Sequence, residues 1–71
     1  MNRSELLKKA GNMVVCHYSG AKNEECFAIG WFYAMNEACI RLKVTSTKYE
    51  TYESITIDIE SVIKMEDYQR D

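Results

Sequence analysis

The feature that most constrains this chain is a regular alternation of apolar and polar residues along its second half. Residues 38–47 carry apolar side chains at every second position of their middle part, and residues 51–59 repeat the pattern with three isoleucines. The inward positions predicted in this way are Ile40, Leu42, Val44, Ile55, Ile57 and Ile59. Successive side chains of a strand point to opposite faces, so a period of two predicts antiparallel strands with one buried face.

The same period begins at Met13 and predicts five strands in all. We place the strands at residues 13–18, 26–35, 38–47, 51–59 and 62–65. Glu60 and Ser61 leave room for only a single turn between the last two strands. Before the strands, Asn2 and Glu5 form a pattern that resembles a capping box and predicts a short helix over residues 2–10, ended by Gly11.

The chain has 71 residues, which is enough for one domain. Within the single domain 1–71 we expect the helix at 2–10, a barrel over 13–66 and a tail at 67–71. Five strands over so few residues cover a common core only by bending sharply. We therefore expect an all-β fold with one short N-terminal helix, a strongly bent five-stranded antiparallel small barrel, with Gly30 as the bend in the second strand.

Charge and cysteine content narrow the class of protein. Nine Lys and Arg against eleven Asp and Glu give a net charge of −2, which disfavours strong nonspecific binding of nucleic acid. No run approaches the roughly 20 apolar residues that span a bilayer, and no signal peptide is visible. Three cysteines without a CxxC spacing do not make a closed disulfide framework. We expect a cytoplasmic protein that does not associate with membranes and uses its thiols as small apolar side chains.

The cysteines and the histidine do not form a recognisable chemical site. Cys16 and His17 are adjacent on a strand and so point to opposite faces, while Cys26 and Cys39 have no spacing used by structural zinc sites. A Cys–His nucleophile pair would also lack a third group to orient it. We therefore expect no metal, no cofactor and no enzymatic activity, with a thiol-dependent enzyme as the weakest of three functional hypotheses.

The second strand is apolar on both faces. Phe27, Ile29, Trp31 and Tyr33 share one face, and residues 28, 30, 32 and 34 share the other. The interior of a barrel takes up only one of these faces, so either Trp31 with Tyr33 or Phe32 faces outward. The outward aromatic side chains would form a stacking platform for bases or peptides, or they would be covered by the helix or by a neighbouring subunit. The candidate binding surface comprises Trp31, Phe32, Tyr33, Arg41, Lys43, Tyr49 and Tyr52.

The stretch GWFYAMNEACIRL, from Gly30 to Leu42, together with the order of elements, resembles the Sm and Sm-like (LSm) family. Gly30, Phe32, Asn36 and Leu42 occupy the places of that family's first motif. Its RNA-contacting Asn falls on Ile40, and the glycine with a basic neighbour before its last strand has no counterpart in IESV. The resemblance implies the architecture of a small barrel, shared with Src-homology-type barrels, and does not carry over the RNA-binding residues.

These observations favour a non-enzymatic binding or assembly module. The fourth strand and the final strand 62–65 are natural sheet edges, and open edges invite pairing. The leading hypothesis is therefore protein–protein association or self-association as a homo-oligomer through the edge strands. The alternative is binding of RNA or single-stranded nucleic acid through the aromatic face with Arg41 and Lys43.

Overall fold

The computed structural model describes residues 2–47 and 54–69, without the side chains of residues 45–47. Its elements are α1 (Arg3–Leu7), β1 (Met13–Ser19), β2 (Glu25–Met35), β3 (Cys39–Thr47), β4 (Ser54–Asp58), a 3-10 turn (Ile59–Ser61) and β5 (Val62–Asp67). The expectation of a mostly β chain with one short helix is confirmed.

The strands form one antiparallel sheet in the order β4-β3-β2-β1-β5. Four antiparallel steps separate β4 from β5, so these two edge strands run in the same direction. A parallel pair needs a crossover of a dozen or more residues, and the three-residue 3-10 turn cannot supply it. Among the described residues the sheet is accordingly open between β4 and β5, and the closed barrel that we expected is not formed.

The ends of β1, β2 and β3 differ from the predicted ones by one residue at most, and the helix, β4 and β5 show further differences. The helix expected over residues 2–10 ends at Leu7, because the following backbone makes tighter turns in which the Lys9 N–H donates to Leu6 O at 2.9 Å. β5 runs on to Asp67, which we expected to begin the tail, because β1 offers pairing positions that far. The fourth strand, expected over 51–59, is seen from Ser54 to Asp58, with residues 51–53 outside the described part of the chain.

Helix α1 is capped by Asn2, as its sequence predicts. The N–H of Glu5 donates to Asn2 Oδ1 at 2.9 Å, which satisfies one of the free amides of the first turn. Leu6 is fully buried, whereas Leu7 is exposed. In the part of the chain that the structure describes, no helix is long and apolar enough to cross a membrane.

The connection after α1 is fastened to the middle of β2. Gly11 has a φ of +88°, a left-handed conformation that favours glycine. Its N–H donates to Phe32 O at 2.7 Å, and the N–H of Phe32 donates to Asn12 O at 3.0 Å. These two bonds hold the helix beside the inner face of the sheet.

The core consists of side chains from the helix and from all five strands, at alternate positions except in β5, where Val62 and Met65 lie three residues apart. Its buried members are Leu6, Val14, Cys16, Ala28, Phe32, Ile40, Leu42, Ile57, Val62 and Met65. Val44, Ile55 and Ile59 are partly buried and pack against this cluster. The inward positions predicted for the third and fourth strands are thereby confirmed.

Gly30 lies at a close approach of β2 and β3. The register between the two strands shifts between Ile29 and Gly30. A Cβ atom at Gly30 would collide with the carbonyl oxygen of Lys43 and lie 2.9 Å from Val44 Cα. Bulges of this kind bend a strand and increase its twist, so glycine at this position permits the local shape of the sheet.

Candidate binding surfaces

The outer face of β2 presents two aromatic side chains to solvent. Trp31 is 47% exposed and Tyr33 is 41% exposed, whereas Phe32 between them is fully buried in the core. The predicted place of Phe32 on the binding surface is therefore wrong, because strand alternation turns it inward. A second register shift, between Phe32 and Ala34, leaves Tyr33 without a Cα partner on β3.

Trp31 and Tyr33 form the centre of a surface that we call the aromatic patch, completed by Lys43 and Ser54. The two aromatic rings lie 6.1 Å apart between centroids and are tilted by 49°. Lys43 of β3 pairs with Trp31, and Ser54 of β4 pairs with Lys43. The Tyr33 hydroxyl shares a hydrogen bond of 2.8 Å with Ser54 Oγ. A groove of about 300 Å³ lies between these four side chains.

The charges beside the aromatic patch are cationic on β3 and anionic at the end of β4. Arg41 is exposed two residues from Lys43, on the same strand face. Asp58 lies opposite Cys39, whose thiol donates a weak hydrogen bond to Asp58 Oδ1 at 3.8 Å. The remaining predicted members of the surface, Tyr49 and Tyr52, lie outside the described residues.

The edge strand β4 directs a regular row of backbone groups away from the sheet. The N–H of Ile59 donates to Ala38 O at 2.9 Å, which fixes the hydrogen-bonding phase of the β3–β4 ladder. Residues of one phase bond to the neighbouring strand and the alternate residues point the other way. Ile55 and Ile57 thus bond to β3, while the N–H and C=O groups of Ser54 and Thr56 and the N–H of Asp58 point outward. The C=O of Asp58, the N-cap of the 3-10 turn, accepts the first bond of that turn.

The other edge strand, β5, is irregular and charged. The β1–β5 register shifts between His17 and Tyr18, which leaves Ile63 out of the ladder and 45% exposed. Lys64 Nζ lies 3.5 Å from Glu66 Oε1, and Asp67 Oδ1 lies 3.5 Å from Lys9 Nζ. Bulges and charged side chains protect an edge against pairing, so β4 is the more receptive of the two edges.

A groove adjoins the part of the β4 edge that is nearer the 3-10 turn. The groove, of about 320 Å³, separates residues 56–58 of β4 from residues 18–21 of the β1–β2 hairpin. Ser61 of the 3-10 turn closes one end of the groove.

Two of the three thiols are buried, those of Cys16 and Cys26, whereas Cys39 is half-buried. Cys16 is fully buried on the inner face, and desolvation by burial raises the pKa of its thiol from 9.0 to about 12. A thiol with so high a pKa stays protonated at neutral pH and is a poor nucleophile. His17 points to the other face of the sheet, where its Nδ1 lies 4.0 Å from Glu25 Oε2. No group of three or more His, Cys, Asp and Glu side chains is arranged for a metal ion within residues 2–47 and 54–69.

The sequence interpretation located the aromatic patch but missed the residues that distinguish the two edges. The signal is present in the two strand sequences: SITID of β4 is rich in β-branched residues with one charge, whereas VIKMED of β5 carries three. Comparisons with protein-family models, curated proteins and solved structures find no match to this chain, so the aromatic patch and the β4 edge are the features on which a functional conclusion depends.

Proposed function

We propose that this chain is a non-enzymatic assembly module that associates through an exposed sheet edge, with copies of itself or with another protein. The observation that carries the proposal is the edge of β4, where Ser54, Thr56 and Asp58 direct backbone groups away from the sheet and no other strand within residues 2–47 and 54–69 pairs with them. Such an edge is a template for a further strand, and natural proteins usually blunt it.

The proposal includes an Sm-like plan for the domain. A short helix, five antiparallel strands and a single turn between the last two support this resemblance at the level of architecture. The proposal also includes a reducing, cytoplasmic setting, which suits the free thiols of Cys16, Cys26 and Cys39.

Light scattering coupled to size-exclusion chromatography tests self-association directly. We expect the mass of the wild-type chain to exceed 8.3 kDa and to rise with concentration, measured between about 10 µM and about 1 mM. A mass that stays at the monomer value across this range would overturn self-association.

The aromatic patch favours a second candidate function, the binding of single-stranded nucleic acid. Two tilted, exposed rings beside Lys43 and Arg41 combine base-stacking surface with phosphate-binding charge. The net charge of −2 argues against tight binding, which makes this the weaker of the two candidates.

Fluorescence anisotropy with a labelled oligonucleotide separates the two candidates. Binding should weaken as salt rises and should be lost in Trp31→Ala. The matched control is Tyr68→Ala, which removes an exposed aromatic side chain outside the patch. An unchanged anisotropy at high micromolar protein would dismiss the nucleic-acid candidate.

A further inference from the structure

We infer that β4 pairs antiparallel with β4 of a second copy of this chain, about a two-fold axis that passes through Thr56. The inference rests on the self-association proposed above and specifies the strand, the register and the contacts. Four observations carry it: the strand directions, the symmetry of the outward N–H groups, the inner-face isoleucines and the charges of the outer face.

Strand direction selects β4 as the partner of β4. Because β4 and β5 run in the same direction within one sheet, a second copy with its core on the same side would offer β5 parallel to β4. A two-fold rotation instead brings β4 of the second copy antiparallel to β4. Antiparallel ladders are slightly more stable per residue than parallel ones, and β5 is protected by its bulge and charges.

The outward N–H groups of β4 are arranged symmetrically about Thr56. Ser54 and Asp58 lie two residues to either side of it, in the same hydrogen-bonding phase. A two-fold axis at Thr56 places Thr56 opposite Thr56 of the second copy, and Ser54 opposite Asp58 of the second copy. Thr–Thr and hydroxyl–carboxylate pairs are favourable across a ladder, and this register sets no like charges directly opposite one another.

The same register completes an apolar surface on the inner face. Ile55 comes to lie opposite Ile57 of the second copy, and Ile57 opposite Ile55. Ile57 is already buried, but Ile55 is only partly buried in the single chain. The pairing therefore removes apolar surface of Ile55 from water in both copies.

Charges of opposite sign meet on the outer face. Lys43 lies opposite Ser54 in the β3–β4 ladder, so the register places Lys43, Ser54 and Asp58 of the second copy in one row across three strands. Ser54 is small enough for the Lys43 ammonium group to reach over it toward that carboxylate. The two-fold axis produces this pair twice.

The pairing is expected to be reversible. A strand of five residues is about 17 Å long, and one strand pair falls in the class of small interfaces below about 1,200 Å². The dimer should thus form and dissociate with concentration.

Cross-linking tests the register. In a Cys39→Ser background, Thr56→Cys should give a covalent dimer under mild oxidation, because directly opposed residues lie within about 5.5 Å between Cα atoms. Ser54→Cys is the matched control and should not cross-link, since residue 54 faces residue 58 of the second copy. Equal cross-linking of the two variants, or cross-linking of Ser54→Cys alone, would overturn the register.

Charge reversal tests the outer-face contact. Asp58→Lys and Lys43→Asp should each weaken the dimer by roughly tenfold, and the double variant should restore it. Neither side chain has a described ion pair within its own chain, so charge reversal should leave the fold intact. Circular dichroism of each variant checks that it is folded. A double variant as weak as the single variants would contradict the contact.

Matched lysine substitutions separate the two edges. Thr56→Lys sets two lysines against each other at the axis and should abolish association, whereas Asp67→Lys on the β5 edge should leave it unchanged. A wild-type chain that is monomeric at all concentrations would overturn the β4 pairing and self-association, and would leave association with another protein as the proposed function. A mass larger than a dimer, or association that survives Thr56→Lys, would overturn the β4 pairing and leave the proposed self-association standing.

Discussion

Gly30 occupies a place in the sheet where any side chain would press against backbone. The atoms that a Cβ would meet, Lys43 O and Val44 Cα, belong to the neighbouring strand and can move only if β3 moves. Overpacking a well-packed site costs about 1–3 kcal/mol. We expect Gly30→Ala to lower the free energy of unfolding by an amount near the upper end of this range. Urea denaturation followed by circular dichroism measures this loss.

Gly20→Ala is the matched control. The Cβ at Gly20 would meet side-chain atoms of Glu24 and Cys26, which can rotate away, and Gly20 has no positive φ. We expect a clearly smaller loss of stability than at Gly30. Equal losses would show that the close approach of β2 and β3 does not require glycine.

Burial of the Cys16 thiol makes folding stability depend on pH in the alkaline range. Its pKa is about 12 in the folded chain against 9.0 as the ordinary value. Between these values the unfolded chain releases the proton and the folded chain keeps it, so the unfolded state binds fewer protons and stability falls as pH rises. The stabilisation that the protonated Cys16 thiol gives to the folded chain is fully present below pH 9. Above pH 9 the free energy of unfolding falls by up to about 1.4 kcal/mol per pH unit.

Denaturation curves at pH 8, 9 and 10 in the wild type and in Cys16→Ala check this prediction. Cys16→Ala should be less stable at pH 8 because it leaves a small cavity, but its stability should fall less steeply above pH 9. Identical slopes in the two proteins would assign the alkaline loss to other groups.

Along β2, alternate side chains either fill the core or remain exposed to solvent. Phe32 fills the core while Trp31 and Tyr33 remain exposed. Phe32→Ala should cost about 3–5 kcal/mol of unfolding free energy, whereas Trp31→Ala should change it by less than about 0.5 kcal/mol. Chemical denaturation followed by circular dichroism, which does not need the tryptophan, compares the two. A large loss in Trp31→Ala would place that side chain in a packing role.

The elements show which parts of the fold can be predicted from sequence. The inward isoleucines of β4 follow from alternation, because one buried face leaves no other arrangement. The N-cap at Asn2 follows from local chemistry as well. The bulges at Tyr33 and Ile63 could not be predicted, because a register shift depends on both strands of a pair.

Two further differences between the predicted and the observed fold also arise from contacts between segments that are distant in the sequence. Residues 8–10 are compatible with a helix, but the bonds of Gly11 and Asn12 to Phe32 draw the chain into turns before a second helical turn can form. Closure of the barrel depends on the relative direction of β4 and β5, which only the complete strand order determines. Trp31, Tyr33 and Lys43 of the aromatic patch were among the predicted surface residues. Ser54 was not among them, and Phe32 was placed there wrongly because its face depended on the phase of β2.

For the molecule as a whole, the proposed dimer couples stability to concentration. Association that occurs only between folded chains stabilises the folded state by mass action. We expect the Tm of the wild type to rise between about 10 µM and about 1 mM protein, while that of Thr56→Lys stays constant. Differential scanning calorimetry at several concentrations measures both. Parallel concentration dependence in the two proteins would disagree with association through β4.

The position of β1 between β2 and β5 has a consequence for the time course of folding. Val14 pairs with Asp67 across nearly the whole described chain, so the sheet is completed by a contact between distant segments. Such contacts are slow to form, which places folding in the range of about milliseconds to seconds. Until Val62–Asp67 leaves the ribosome, Val14 and Cys16 lack their final cover. A newly made chain therefore exposes part of its apolar core until β5 has paired with β1.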